Sequence, residues 1–206
     1  MENKVEEKRT LSDRKREDII NAAIQEFDRC GCQKTSMDQI AKTANVSKRT
    51  VYNHFPSKEV LFDEITAVMW TECLAATEYA YRKDEPLSVQ LTTIAKQQMD
   101  LLKSQSFISV SRLIFAECFH SPEAVEKIIR QMNESDNGLI LWLQEAIKDE
   151  RLNITDIDVA YSQFYGMLKS MAFWPQVIGF GQYPTDEQVQ EIIDSSVAMY
   201  LKYYEI

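Results

Sequence analysis

Between Ser47 and Phe55 the chain reads SKRTVYNHF, and six of these residues, Lys48, Arg49, Thr50, Tyr52, Asn53 and His54, offer cations, hydroxyls, an amide and an imidazole. Groups of this kind donate to phosphate oxygens and to base edges. Ser47 is an N-cap residue type, so the segment is predicted to be a helix whose first amides and positive dipole end can meet an anion. Val51 and Phe55 are its inward positions, and Pro56 ends it. So short a helix cannot persist alone and must be held by neighbours.

The neighbours are legible in the apolar spacing. From Asp13, the positions Ile20, Ala23, Ile24 and Phe27 recur at three and four residues until Gly31 supplies a stop, which predicts a first helix. Ser36 and Gln39 form a capping box that opens a second, short helix with Met37, Ile40, Ala41 and Ala44 inward. Two short helices joined by a tight turn between Ala44 and Ser47 make a helix-turn-helix, whose second helix suits a DNA major groove. Ser57 caps a fourth run, from Lys58 to about Tyr81, long enough to link this head to a second domain.

Charge is divided in the same way. The net charge of -9 argues against a polyanion partner, yet residues 1–60 carry 12 Lys+Arg against 10 Asp+Glu. The remainder carries 11 against 22, so a locally positive head sits on an acidic body. A solvated charged face would give the same tally. An acidic body disfavours a nonspecific architectural DNA binder, whose adhesion would be sequence-independent.

A helical enzyme finds little support. Glycine loops for phosphate, HExxH and GxSxG are missing, and His54 and His120 lie 66 positions apart. Glu72, Glu78 and Glu117 lack the partner histidines of a carboxylate metal site. Cys30, Cys32, Cys73 and Cys118 show no metal or disulfide spacing. No catalytic residue, cofactor or metal is therefore expected. No stretch reaches the roughly 18 apolar residues of a membrane span, and Met1 to Asp13 is charged, so a cytoplasmic chain without a membrane partner is expected.

Residues 14 to 62, above all TSMDQIAKTANVSKRTVYNHFPSKEVLF from Thr35 to Phe62, resemble the DNA-binding region of the TetR family of bacterial transcriptional regulators. The resemblance implies phosphate contacts for Thr35 and Ser36, for Tyr52 and His54, and for Lys58, with Lys48, Arg49 and Thr50 approaching base edges. Ser47 and Asn53 join this set from their place on the helix. Many family members carry glycine where this chain has Arg49; the larger cation can reach a guanine or another phosphate.

The phrases RLIFAECFHSPE, from Arg112, and FYGMLKSMAFWPQ, from Phe164, resemble the C-terminal domain of one branch of these regulators. This implies a small-molecule effector site and a homodimer made through the last two long helices, Asp156 to Ile178 and Asp186 to Tyr204. The predicted fold is all-α: an arm over 1–12, a helix-turn-helix domain over 13–60 and an effector-binding and dimerisation bundle over 61–206, in about nine helices. Other predicted helices run from Pro86 to Lys103, Ser106 to Phe119, and Pro122 to Glu150 with a break near Asn137-Gly138.

Candidate effector residues are Phe107, Arg112, Phe115, Glu117, Phe119, Trp142, Phe164, Tyr165, Met171 and Trp174, with His120 beside them. An aromatic and Met-rich cavity suits a small molecule, although an ordinary helical core uses the same residue types and the polar members could form surface pairs. Phe164, Val189, Ile192, Ile193, Ser196, Val197 and Tyr200 are the candidate dimer residues, because the stripe on the last helix must be covered. Two copies on a twofold axis would meet a pseudo-palindromic operator. The leading expectation is a homodimeric repressor released from DNA by an effector. An activator, or a regulator without an effector, fits the same residues, and a helical enzyme is the remote alternative.

Overall fold

A computed structural model describes residues 10–75, 79–119, 125–126, 138–179 and 181–206. All regular elements among them are helical: α1 (Leu11–Cys30), α2 (Met37–Thr43), α3 (Lys48–His54), α4 (Lys58–Ala75), α5 (Leu87–Lys103), α6 (Gln105–Cys118), α7 (Gly138–Lys148), α8 (Ile157–Ala172), α9 (Trp174–Gly179) and α10 (Asp186–Tyr204). No helix among the described residues is long and apolar enough to cross a membrane.

The helix starts follow side-chain chemistry. Thr10 and Asp13 form a reciprocal capping box, so α1 begins at Leu11, two residues earlier than the apolar spacing alone indicates. Thr185 and Gln188 do the same for α10. At the end of α1, Gly31 takes φ 81°, which a Cβ would disfavour, while its N–H donates to the Phe27 carbonyl.

Two boundaries differ from expectation. The described α4 ends at Ala75, and the backbone from Tyr79 to Arg82 is not helical, so no continuous helix reaches Tyr81. Arg82 instead gives its N–H to the Gln90 side chain, which also donates to the Arg82 and Glu85 carbonyls and turns the chain into α5. The expected helix from Asp156 to Ile178 breaks at Phe173, where α8 ends and α9 begins. Of the 122–150 stretch, only 125–126 and residues from Gly138 onward fall within the described part. His120, Glu78 and most of the expected arm lie outside the described residues, as does the side chain of Glu72.

In the body, α10 packs on α5 and α8, and α6 bridges α1, α4, α5 and α9. Leu91, Ile94, Ala95, Phe164, Leu168 and Ile193 are almost wholly buried there. An isolated antiparallel bridge between Leu152 and Glu205 fastens the chain's last residues to the loop after α7.

Candidate nucleic-acid interface

The head is built around two anchors on α3. Val51 and Phe55 are buried as α3 packs on α2, while Lys48, Arg49, Tyr52 and Asn53 share the exposed outer face. Arg16 of α1 lies over the Phe55 ring at 5.4 Å and pairs with Glu64 of α4 at 2.6 Å, which fixes the end of α3 between two longer helices.

The turn into α3 is set by Asn45. It adopts φ 53°, its N–H reaches the Lys42 carbonyl at 3.2 Å, and Val46 N–H reaches the Ala41 carbonyl at 3.0 Å. This pair of bonds closes α2 as a Schellman motif and sets the angle of the two short helices. The Ser47 hydroxyl then accepts from Thr50 N–H at 3.1 Å and hydrogen-bonds its hydroxyl at 2.8 Å. Ser47 and Thr50 thus cap α3 together, and both stay at its surface end.

A buried acid ties α2 to α1. Glu26 accepts from Arg29 at 2.5 Å and from the Thr43 hydroxyl at 2.7 Å. The bond from Arg29, then that from Thr43, hold its carboxyl below the usual glutamate range. Nothing in the apolar spacing points to Glu26, because it occupies an inward position next to Phe27 and spacing arguments count only apolar residues.

Two expected phosphate contacts are corrected. Thr35 is only 3% exposed, and its hydroxyl donates to the Gly31 carbonyl at 2.9 Å and the Glu26 carbonyl at 3.2 Å, so it closes the α1–α2 loop from inside. The Lys58 ammonium donates to the carbonyls of Cys32, Gln33 and Thr35 at 2.7, 3.1 and 3.3 Å. All three of its protons are engaged, so Lys58 pins that loop to α4 instead of pointing at solvent. Ser36 remains exposed at the N-cap of α2.

Lys48 forms an ion pair with Asp38 of α2, a partner the sequence pattern left unnoticed. Arg49 is exposed and forms no ion pair among the described residues, leaving its guanidinium available for a base edge or a phosphate. His54 is half-buried at the last turn of α3, beside Phe55.

The expected effector residues do not form one group. Phe107, Phe115 and Trp174 gather around Phe173, with ring centroids 5.0 to 6.3 Å apart, and Arg112 beside them donates to the Gln176 carbonyl of α9 at 2.7 Å. Trp142 belongs elsewhere: its ring nitrogen donates to Gln90 at 3.0 Å and its ring meets Tyr81, so it completes a packed knot at the start of α5. Phe119 is 85% exposed and Met171 57% exposed, which removes both from any enclosed wall. Glu117 accepts from Gln33 of the head at 2.9 Å, so it couples domains. Tyr165 is buried on α8.

The dimer stripe is also corrected. Phe164, Ile193, Val197 and Tyr200 are buried within the chain by contact between α10, α5 and α8, with Phe164 and Tyr200 rings 5.0 Å apart. Their stripe is covered by the body itself. Val189 is half-buried, and Ile192 and Ser196 reach only the floor of a groove of about 660 Å³ whose rim includes Met167, Ser170, Met171, Ser195 and Met199.

Comparison with known proteins agrees with this architecture. Residues 19–65 match the bacterial regulatory proteins of the tetR family, and residues 89–206 match the AefR-like transcriptional repressor C-terminal domain. A solved TetR family transcriptional regulator from Pseudomonas syringae pv. tomato str. DC3000 is 40% identical, with a TM-score of 0.85 over 95% of this chain and 99% of that one. The solved flavonoid-responsive regulator FrrA is 29% identical, with a TM-score of 0.67 over 93% and 97% of the two chains. The uncharacterized HTH-type transcriptional regulator YhgD of Bacillus subtilis (strain 168) is 30% identical over 132 residues, a match that spans 64% of this chain and 66% of the relative. With its helix-turn-helix head and its helical body each matched, the chain belongs to the TetR family of transcriptional regulators, as a DNA-binding protein and not an enzyme.

Proposed function

We propose that the protein is a homodimeric repressor that binds a pseudo-palindromic operator in the cytoplasm and leaves it when a small molecule enters the body. The observation that carries this reading is the α1–α2 loop, where head and body meet. Gln33 in that loop donates to Glu117 on α6, and Lys58 on α4 holds the carbonyls of Cys32, Gln33 and Thr35. Any ligand that shifts α6 or α4 therefore acts on the base of the helix-turn-helix. Its effect on DNA equals the difference in its affinity for the two spacings of the heads.

Ser47, Lys48, Arg49, Thr50, Tyr52, Asn53 and His54 are the proposed DNA-contacting residues on α3, with Ser36 at the start of α2. The exposed faces of α8 and α10 around Met171 and Met199 are the proposed dimer surface, which sets the two recognition helices roughly 34 Å apart. Similarity to a regulator named as flavonoid-responsive favours an aromatic guest for the body. Enrichment of bound sequences from random duplexes gives the operator, and its affinity is then measured with and without each compound found to bind the body. A palindromic consensus and a loss of affinity with at least one compound are expected; a chain that binds no duplex in dilute buffer contradicts the reading.

A further inference from the structure

The outer face of α3 has a central line and two flanks. Val51 is wholly buried, and Arg49 and Asn53 each stand two positions from it, about 160° around the helix axis. Both are exposed and they lie four positions apart, so they share the line that faces directly away from the domain. The rest of the face is turned aside or occupied. Lys48 leans toward α2, where Asp38 takes its ammonium. The Thr50 hydroxyl is bonded to that of Ser47 at 2.8 Å, and His54 is half-buried beside Phe55. Tyr52 projects from a flank, about 100° from Val51.

On that central line the side chains are uncommitted: neither Arg49 nor Asn53 makes a side-chain hydrogen bond or ion pair among the described residues. A helix laid in the major groove presents its flanks to the sugar-phosphate walls and its central line to the floor, where the base edges lie. A planar guanidinium with free donors forms two parallel bonds to O6 and N7 of guanine, and a carboxamide forms two to N6 and N7 of adenine. Four helical residues advance about 6 Å, against about 3.4 Å for one base step, so the two side chains meet bases no more than about two steps apart.

We propose that Arg49 and Asn53 are the sequence-reading pair of α3, and that each operator half-site carries a guanine for Arg49 and an adenine for Asn53 within about two base pairs of one another. The proposal rests on the operator-binding reading above and names the bases that are read. Lys48, Tyr52 and His54 then hold the DNA backbone on either side and add affinity without sequence preference.

The test begins with the unaltered full chain. Enrichment from random duplexes gives the operator, and the guanine of each half-site is then replaced by 7-deazaguanine, which keeps base pairing and phosphates and removes only the N7 acceptor. Binding is expected to weaken about three- to tenfold, and 7-deazaadenine at the paired adenine should act similarly. Arg49→Ala should bind duplexes with any base at the guanine position about equally and ignore 7-deazaguanine there, while keeping its preference for the adenine. Asn53→Ala should do the reverse. The unfolding midpoint of each variant reports that the head remains folded. Half-sites without a guanine and an adenine at that spacing, an operator indifferent to both deaza bases, or an Arg49→Ala variant weakened alike on every duplex overturns the proposal. The last of these results assigns Arg49 to phosphate and leaves the repressor reading standing, whereas a chain that binds no duplex at all overturns both.

Discussion

Three lysines act through their immediate partners: Lys48 through a carboxylate, Lys58 through backbone carbonyls, and Lys169 of α8 through the Tyr165 ring. Lys48 is paired with Asp38 in an exposed ion pair whose separation costs little, so the proposed DNA contact of Lys48 would compete with that pair. Asp38→Ala removes both the competitor and a negative charge from the DNA-facing surface. Operator affinity is expected to rise roughly three- to tenfold in a binding titration at low salt, with the gain shrinking as salt is added. Lys58 behaves differently, because its ammonium serves three carbonyls. Lys58→Met should lower stability by about 2 kcal/mol in thermal or denaturant unfolding, while the salt slope of DNA binding in the folded variant stays unchanged. A slope lower by about one would return Lys58 to the phosphate contacts. Lys169, whose folded value is drawn below that of the unfolded chain, opposes folding wherever the unfolded lysine is charged. That penalty is complete below the folded value and fades as pH rises from there toward the unfolded one. Lys169→Met is therefore expected to raise the unfolding midpoint at neutral pH, with the gain diminishing in alkaline buffer.

At the scale of elements, the angle between α2 and α3 depends on one left-handed residue. Asn45→Val places a branched side chain at φ 53° and should cost about 1–2 kcal/mol, whereas Asn45→Gly keeps the geometry and should leave the unfolding midpoint nearly in place. Comparing the two variants by melting and by DNA affinity separates the turn from general damage. The same region explains what can be read from a sequence. Capping residues such as Ser36, Ser47 and Thr185 act on amides three positions away, so their roles are local and visible in the chain. The loop contacts of Lys58 reach back 23 to 26 positions, and Gln33 meets Glu117 across 84. No periodicity encodes such pairings, and Lys58 therefore resembles a surface cation until its neighbours are placed. Trp142 is ambiguous in the sequence for another reason: an aromatic that fills a cavity wall and one that fills a core have the same spacing, and the bond from its ring nitrogen to Gln90 separates them.

The whole molecule turns on which faces remain uncovered once the body has folded. A stripe along α10 argues for a partner only if the chain's own helices leave it bare, and α5 and α8 cover most of it. What they leave bare is the opposite edge: Met171 on α8 and Met199 on α10 are each 57% exposed and stand across a groove from one another. Methionines adapt to a mating surface without fixed shape, which would suit the dimer contact proposed here. A twofold axis near this groove would set each methionine of one copy close to the other copy, so one added charge is repeated and repels itself. Met199→Glu is therefore expected to give a monomer by light scattering at micromolar concentration while its melting cooperativity persists, because the side chain is not part of the protomer's core. Operator affinity should fall by about a hundredfold or more, since each head then binds its half-site without the effective concentration supplied by a linked partner. A Met199→Glu variant that stays dimeric would move the twofold axis away from this groove, toward another exposed apolar site such as Leu141 on α7 or Val159 on α8.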